Sequence, residues 1–231
     1  MRIDTRFADM WARAGAIGGW LHRDQACALW QVAREVPPGG TIVEIGSHQG
    51  RSTLVLGAAA CQAGARVVAI DPFVEGPMFG GTATRTQFEA NLDAAGLRDA
   101  VQLIAERSTA IRPQWTERID MLYIDGKHDY WTVRDDLRWV AHVPPGGTVL
   151  VHDAFSSVGV TLALLRHVLP GRRLRYQRRT GSLARFEVAP PAARDRARML
   201  AELPWWLRNL AIKVALRAAR IFGHRATPDP Y

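Results

Sequence analysis

Six residues of this chain are of types, and at spacings, that do chemistry together. Asp125 and His128 belong to the string Asp125-Gly126-Lys127-His128-Asp129-Tyr130. His152 and Asp153 follow the apolar run Leu150-Val151. Glu44 and Asp71 close two further apolar runs, Ile42-Val43-Glu44 and Val67-Val68-Ala69-Ile70-Asp71. Two carboxylates with oxygen-rich neighbours suit a hard divalent ion such as Mg²⁺, which keeps waters that substrate oxygens can replace. A bound cation lowers the pKa of a coordinated hydroxyl and fixes its position. His128, three residues past Asp125, has the side chain that titrates closest to neutrality and is the candidate general base.

A second kind of chemistry lies at Gly46-Ser47-His48-Gln49-Gly50-Arg51-Ser52. An apolar strand, a tight turn with two glycines and a helix-capping serine let the backbone press against a nucleoside. Glu44, Ser47, Gln49 and Ser52 supply polar groups around that turn. The dinucleotide fingerprint G-x-G-x-x-G fails, because His48 stands two places after Gly46. A loop with fewer glycines suits a ligand without a pyrophosphate. Asp71, at the end of the next strand, is placed to accept hydrogen bonds from ribose hydroxyls.

Positioning these groups requires a sheet whose strands all end on one side. Apolar runs predict strands at residues 42–45, 66–70, 101–104, 119–124 and 148–151. Helical spacing predicts helices over 1–36, 52–63, 85–95, 130–142 and 158–169. Gly64 and Gly96 are placed to end helices. Strands alternating with helices predict an α/β, Rossmann-like, doubly wound sheet, mostly parallel. Residues 174–178 and 183–188 read as a hairpin that brings the count to seven strands and adds an antiparallel edge. The segment 74–84, rich in glycine, reads as a mobile loop. Residues 1–190 form the expected domain with an N-terminal helical cap, and Pro190-Pro191 opens a basic amphipathic helical tail over 191–231, broken near Pro204. Asp135 and Asp136 read as solvated positions on a helix.

The chain has 231 residues, is 48% hydrophobic and carries a net charge of +8. That suffices for one sizeable core with an appendage. Almost every cation is arginine, lysine occurring only at Lys127 and Lys213, and the arginines are dispersed, which fits a compositional bias better than a nucleic-acid surface. Stacking aromatics are not interleaved with basic residues, so no nucleic acid is expected. The N-terminus lacks a secretory pattern, and no run reaches the roughly 18 apolar residues of a membrane span. Cys27 and Cys61 read as reduced core thiols of a cytoplasmic protein. In the tail, Leu203, Trp206, Leu207, Leu210, Val214 and Ile221 share a stripe, with Trp205, Ile212 and Leu216 opposite. Two apolar stripes call for two partners: a contact in a homo-oligomer or a lid over a pocket first, and peripheral contact with a membrane surface second.

Val43-Glu44-Ile45-Gly46-Ser47-x-x-Gly50-x-Ser52 and Ala69-Ile70-Asp71-Pro72 resemble the class I S-adenosylmethionine-dependent methyltransferases. The resemblance implies that Gly46, Ser47 and Gly50 border the methionine part of the cofactor, that Asp71 binds the ribose, and that Ser108 lies near the adenine. Asp125-Gly126-x-His128-x-Tyr130 and His152-Asp153-Ala154 sharpen it toward the metal-dependent small-molecule O-methyltransferases, a branch with macrolide-sugar and rhamnosyl O-methyltransferases and cephalosporin-hydroxylase-type proteins. It spans roughly residues 15–190, including Gly19-Trp20-Leu21 and Gln87-Phe88-x-x-Asn91-Leu92. It implies metal ligation by Asp125 and Asp153, His128 as base, and a small hydroxylated acceptor such as a sugar or secondary metabolite. Several relatives carry an acid at position 152. His152 is a softer donor and tilts the metal from Mg²⁺ toward Mn²⁺, Fe²⁺ or Co²⁺. A hydroxylase-like or accessory enzyme of the same fold, and a non-catalytic partner or membrane-docked subunit, are the alternatives.

Overall fold

The computed structural model describes residues 5–76 and 80–221. Its strands are β1 (Thr41–Ile45), β2 (Arg66–Ile70), β3 (Val101–Ile104), β4 (Met121–Ile124), β5 (Thr148–Val151), β6 (Leu174–Thr180) and β7 (Leu183–Val188). They form one sheet in the order β3-β2-β1-β4-β5-β7-β6. The first five strands are mutually parallel, and β7 runs antiparallel between β5 and β6. Strands β1 and β4 are buried along their whole length. That is why they read as unbroken apolar runs rather than alternating ones, since helices cover both faces.

The order reverses between β1 and β4, which opens a crevice beyond their carboxyl ends. Register then decides what meets there. Ile45 pairs with both Ile70 and Ile124, and Ile124 pairs with Val151. The next residue on each strand therefore falls in one row: Asp71, Gly46, Asp125, His152. Backbone bonds lock the row, Gly46 donating to Ile70, Asp125 to Ile45 and His152 to Ile124, at 2.8–2.9 Å.

The helices are α1 (Thr5–Ala14), α2 (Arg23–Ala33), α3 (Arg51–Ala63), α4 (Gly81–Ala95), α5 (Ser108–Ile111), α6 (Tyr130–Asp136), α7 (Val158–Ala163), α8 (Ala193–Leu200) and α9 (Leu203–Ile221). One face of the sheet packs against α1, α2 and α3 around Trp30, Leu56 and Phe88. The other packs around Trp139, Phe155 and Phe186, with Met199 of α8 and Trp205 and Trp206 of α9 against it.

Several expected bounds move. The N-terminal helical region is two helices parted by a turn containing Gly15, Gly18 and Gly19. Helix α4 starts at Gly81, not Arg85, which shortens the expected 74–84 loop; residues 77–79 of that loop lie outside the described residues. The expected helices at 130–142 and 158–169 each change pitch partway. The first tightens into a 3₁₀ turn at Leu137–His142, and the second widens into a π turn at Leu164–Val168. The tail breaks at Ala201 and Glu202, and Pro204 falls in the first turn of α9, where its missing N–H has no helical partner to lose. Glu202 ties the break down by accepting from Tyr176 Oη at 2.6 Å and Arg179 Nε at 2.9 Å.

Two readings of burial are corrected. Asp136 is 1% exposed, not solvated, because α6 turns it under the β4 loop. Cys61 is exposed and Cys27 partly so, though both are free thiols. The tail stripe also resolves differently. Leu207 and Val214 face outward, whereas Asn209 is fully buried, alone among the described side chains of α9. Among the described residues no helix is long and apolar enough to cross a membrane.

Candidate active site

The glycine loop between β1 and α3 is built over a buried carboxyl. Glu44 is fully buried and accepts from Ser47 Oγ at 3.1 Å and from Ser52 Oγ and Thr53 Oγ1, both at 2.5 Å. Burial pushes its pKa up to about 7, against the three hydroxyls that pull it down. Glu44 and Ser52 thus brace the loop from below. Gly46 has φ of +88°, and a Cβ there would lie 2.3 Å from the Asp125 carbonyl oxygen. The loops after β1 and β4 touch backbone to backbone, which only glycine permits. Gly50, also in the left-handed region, caps α3.

Asp71 joins β2 to that loop. Its Oδ2 accepts from the backbone N–H of Ser47 at 2.8 Å and of His48 at 2.9 Å, and its Oδ1 from Phe73 at 2.8 Å. Ser108, expected near an adenine, is 9% exposed and donates to Asp136 Oδ1 at 2.6 Å. Burial raises the Asp136 pKa to about 6, with the Ser108 bond opposing.

Beyond β4 and β5 an acid–imidazole cluster forms. Asp125 Oδ1 lies 3.4 Å from His128 Nε2 and 3.1 Å from His152 Nδ1, while its Oδ2 accepts from Tyr123 Oη at 2.7 Å. His128 Nδ1 sits 2.9 Å from Asp153 Oδ2. Both nitrogens of this ring therefore face carboxylates. Burial opposes charge on His128, but the hydrogen bonds and charges of Asp125 and Asp153 outweigh it and raise the pKa to about 10. The reciprocal effect holds Asp125 at about 2, where its two histidines overcome burial, and Asp153 well below the usual carboxylate range. His152 is 3% exposed, and its Nδ1 has no aligned hydrogen-bond partner. Its Nε2 lies 3.3 Å from Gln25 Oε1.

Asp125, His128 and His152 each offer one donor atom, and the three atoms lie within 4.8 Å of one another. An unpartnered buried nitrogen beside a carboxylate and a second imidazole fits a cation. Asp153 stands outside this group. Its Oδ2 orients His128, and its Oδ1 accepts from Ser156 Oγ at 2.9 Å. The grouping that the geometry offers shares Asp125 and His152 with the expected set and adds His128; Asp153 lies behind the His128 ring, its Oδ1 3.7 Å from His152 Nδ1.

The loop after β5 is bent to do this, with φ of +53° at Asp153 and +59° at Phe155. Such backbone costs about 1–3 kcal/mol at each residue and persists only where its surroundings over-determine it. Helix α9 supplies part of that hold. Asn209 Nδ2 donates to the Phe155 carbonyl at 3.4 Å and Lys213 Nζ to the Ser156 carbonyl at 3.2 Å. Gly159, at the start of α7, allows close approach to the His128 carbonyl, which a Cβ would meet at 2.3 Å.

Some working residues escape sequence reasoning. Tyr123 was findable, since residues two apart on a strand face the same side and Asp125 follows it by two. Gln25, Asn209 and Lys213 carry no such signal, because they reach the site from other elements. Arg51 clamps the N-terminal turn, Nε donating to the Ile17 carbonyl at 2.7 Å and Nη1 to that of Leu21 at 3.0 Å.

Residues 43–154, which run from β1 to the loop after β5, match a family described as a methyltransferase domain. The chain carries a methyltransferase domain. Its enzyme class is that of the methyltransferases, and solved structures share its fold. Cofactor-bound Rv0187 from MTB is 20% identical, with 80% of this chain and 90% of that chain covered and a TM-score of 0.60. The O-methyltransferase from Bacillus cereus in complex with SAH is 18% identical, with 81% and 92% covered and a TM-score of 0.58. The O-methyltransferase TomG from Streptomyces achromogenes, involved in tomaymycin synthesis and in complex with SAM, is 19% identical, with 81% and 91% covered and a TM-score of 0.59.

Proposed function

We propose that this methyltransferase transfers the methyl group of S-adenosylmethionine to a hydroxyl of a small acceptor, a sugar or other secondary metabolite, with a divalent ion at Asp125, His128 and His152. The observation that carries this reading is the row Asp71, Gly46, Asp125, His152 across four strand ends, with a nucleoside-type loop at one end and a cation-type cluster at the other. The transfer is an in-line displacement at the sulfonium methyl. Alignment is therefore the protein's main contribution. Gly46 and Gly50 bring backbone against the methionine part, Asp71 faces the ribose, and Ser108 borders the adenine.

Two imidazoles and one carboxylate suit Mn²⁺, Fe²⁺ or Zn²⁺ better than Mg²⁺, which prefers oxygen alone. When bound, the ion lowers the pKa of the acceptor hydroxyl and stabilises its developing charge. Asp153 holds His128 by its other nitrogen, as carboxylates do behind metal-bound histidines. A second reading keeps His128 as general base. Both readings need Nε2 free of the proton that Asp125 and Asp153 otherwise hold there up to about pH 10, and that nitrogen cannot accept a substrate proton and bind an ion at once, so the two readings exclude each other.

Methyl transfer from labelled cofactor to a panel of hydroxylated acceptors tests the proposal. Turnover abolished by a chelator, restored by Mn²⁺ or Fe²⁺, and lost in Asp125→Asn and His152→Ala supports the metal reading. Undiminished turnover in chelator, lost only in His128→Ala, supports the base reading. Cofactor-dependent oxygen consumption without methyl transfer would favour the hydroxylase-like alternative.

A further inference from the structure

A second cleft, of about 350 Å³, opens between α6, the 3₁₀ turn after it, the π turn after α7 and the start of β6. That is the lower end of the volumes small ligands fill. Arg134, Arg138, His167 and Arg173 line it, and Val140 and Val168, each 5% exposed, lie in its apolar wall. No acidic side chain lines it. Elsewhere several exposed arginines have an acid to themselves, as in Arg66–Glu117, Arg85–Glu89 and Arg98–Asp93, while Arg194 and Arg198 share Asp195. Here one carboxylate, Asp135, serves both Arg134 at 3.2 Å and Arg138 at 2.9 Å. Arg173 has only carbonyls, donating from Nη2 to Ala141 at 3.1 Å and Val143 at 3.2 Å, which fixes its guanidinium at the rim. Arg134 Nε is buried without a hydrogen-bond partner.

We propose that this cleft binds a small organic anion, an oxyanion group on an apolar body, with Arg138 and Arg173 as its principal contacts. Guanidinium groups match carboxylate and phosphate oxygens in bidentate fashion, and the valine wall takes the apolar part. Two further features fit a binding role. The π turn at Leu164–Val168 departs from regular helix where His167 meets the cleft, a departure frequent at functional sites. Slight desolvation, with the charges of Arg166, Arg134 and Arg138 beside it, lowers the pKa of the exposed His167. His167 Nε2 lies 2.9 Å from Tyr130 Oη, at the first residue of α6. The site is separate from the glycine loop and the acid–imidazole cluster and does not rest on the methyltransferase reading.

Calorimetric titration of the full chain with phenyl phosphate, benzoate, inorganic phosphate and benzyl alcohol tests it. Saturable one-to-one binding of phenyl phosphate or benzoate is expected, and whichever binds tighter identifies the oxyanion. Affinity should fall about fivefold or more in Arg138→Gln and in Arg173→Gln and stay unchanged in Arg194→Gln, an exposed arginine outside the cleft. Weaker binding of inorganic phosphate supports the apolar wall. The proposal is overturned if neither organic anion saturates, if benzyl alcohol binds as well, or if all three variants behave like the parent chain.

Discussion

Glu44 illustrates how a single buried acid sets a pH response. In the unfolded chain it loses its proton near 4.5; in the fold it keeps it up to about 7. Across that window the folded state binds the extra proton, so stability falls as pH rises from about 4.5 to 7 and levels off above. The loss is on the order of 3 kcal/mol at most. Glu44→Gln should flatten that slope in urea unfolding followed against pH; an unchanged slope would remove Glu44 as its source. At Gly46 the constraint is steric. Gly46→Ala sets a Cβ against the Asp125 carbonyl and strains a φ of +88°. It should destabilise the fold by about 3 kcal/mol and abolish cofactor binding, read by thermal unfolding and by S-adenosylhomocysteine titration. These two residues were legible in the sequence because a strand ending in an acid and a glycine has few other uses. The place of Asp153 beside His152 was legible in the sequence, but its contact with His128 was not. Sequence spacing brings Asp125, His152 and Asp153 together, whereas ring orientation turns His128 into the group and Asp153 behind it.

Elements act on the site from outside the row of strand ends. Helix α9 holds the bent loop after β5 through Asn209 and Lys213. Asn209→Leu and Lys213→Met keep the bulk and remove the donors. Both should leave S-adenosylhomocysteine affinity unchanged while lowering methyl-transfer turnover about tenfold; turnover equal to the parent would confine α9 to a packing role. At the other end, Arg51 ties the turn between α1 and α2 to α3. Arg51→Ala should free α1, seen as faster proteolysis near residues 15–21 with the rest of the chain protected. Neither hold was readable in advance, since each joins segments far apart in sequence and depends on a side chain of ordinary type. The strands were readable because both sheet faces are covered, which writes burial into the sequence as continuous apolar runs. The pitch changes in the helices at 130–142 and 158–169 left no mark, because each lasts only five or six residues, too few for the change of period to show in the apolar spacing.

At the scale of the whole molecule, strand order and register do the work that no local motif can. Reversal of the order between β1 and β4 opens the crevice, and the pairing of Ile45 with Ile70 and Ile124 places four chemically distinct residues along its edge. The tail belongs to the same body, with α8 and α9 packed against the second core. Its outward face carries Leu207 and Val214, two residues that the spacing puts on one of two apolar stripes; the inward face turns on Asn209, a polar residue that hydropathy patterning passes over. The central claim is that the loop joined to Asp71 receives S-adenosylmethionine. Its most direct test is calorimetric titration of the purified protein with S-adenosylhomocysteine, beside the same titration of Asp71→Ala and Asp153→Asn. The account predicts one-to-one binding in the micromolar range, lost in Asp71→Ala and retained in Asp153→Asn. Absence of binding to the parent protein, or equal binding by Asp71→Ala, would contradict it.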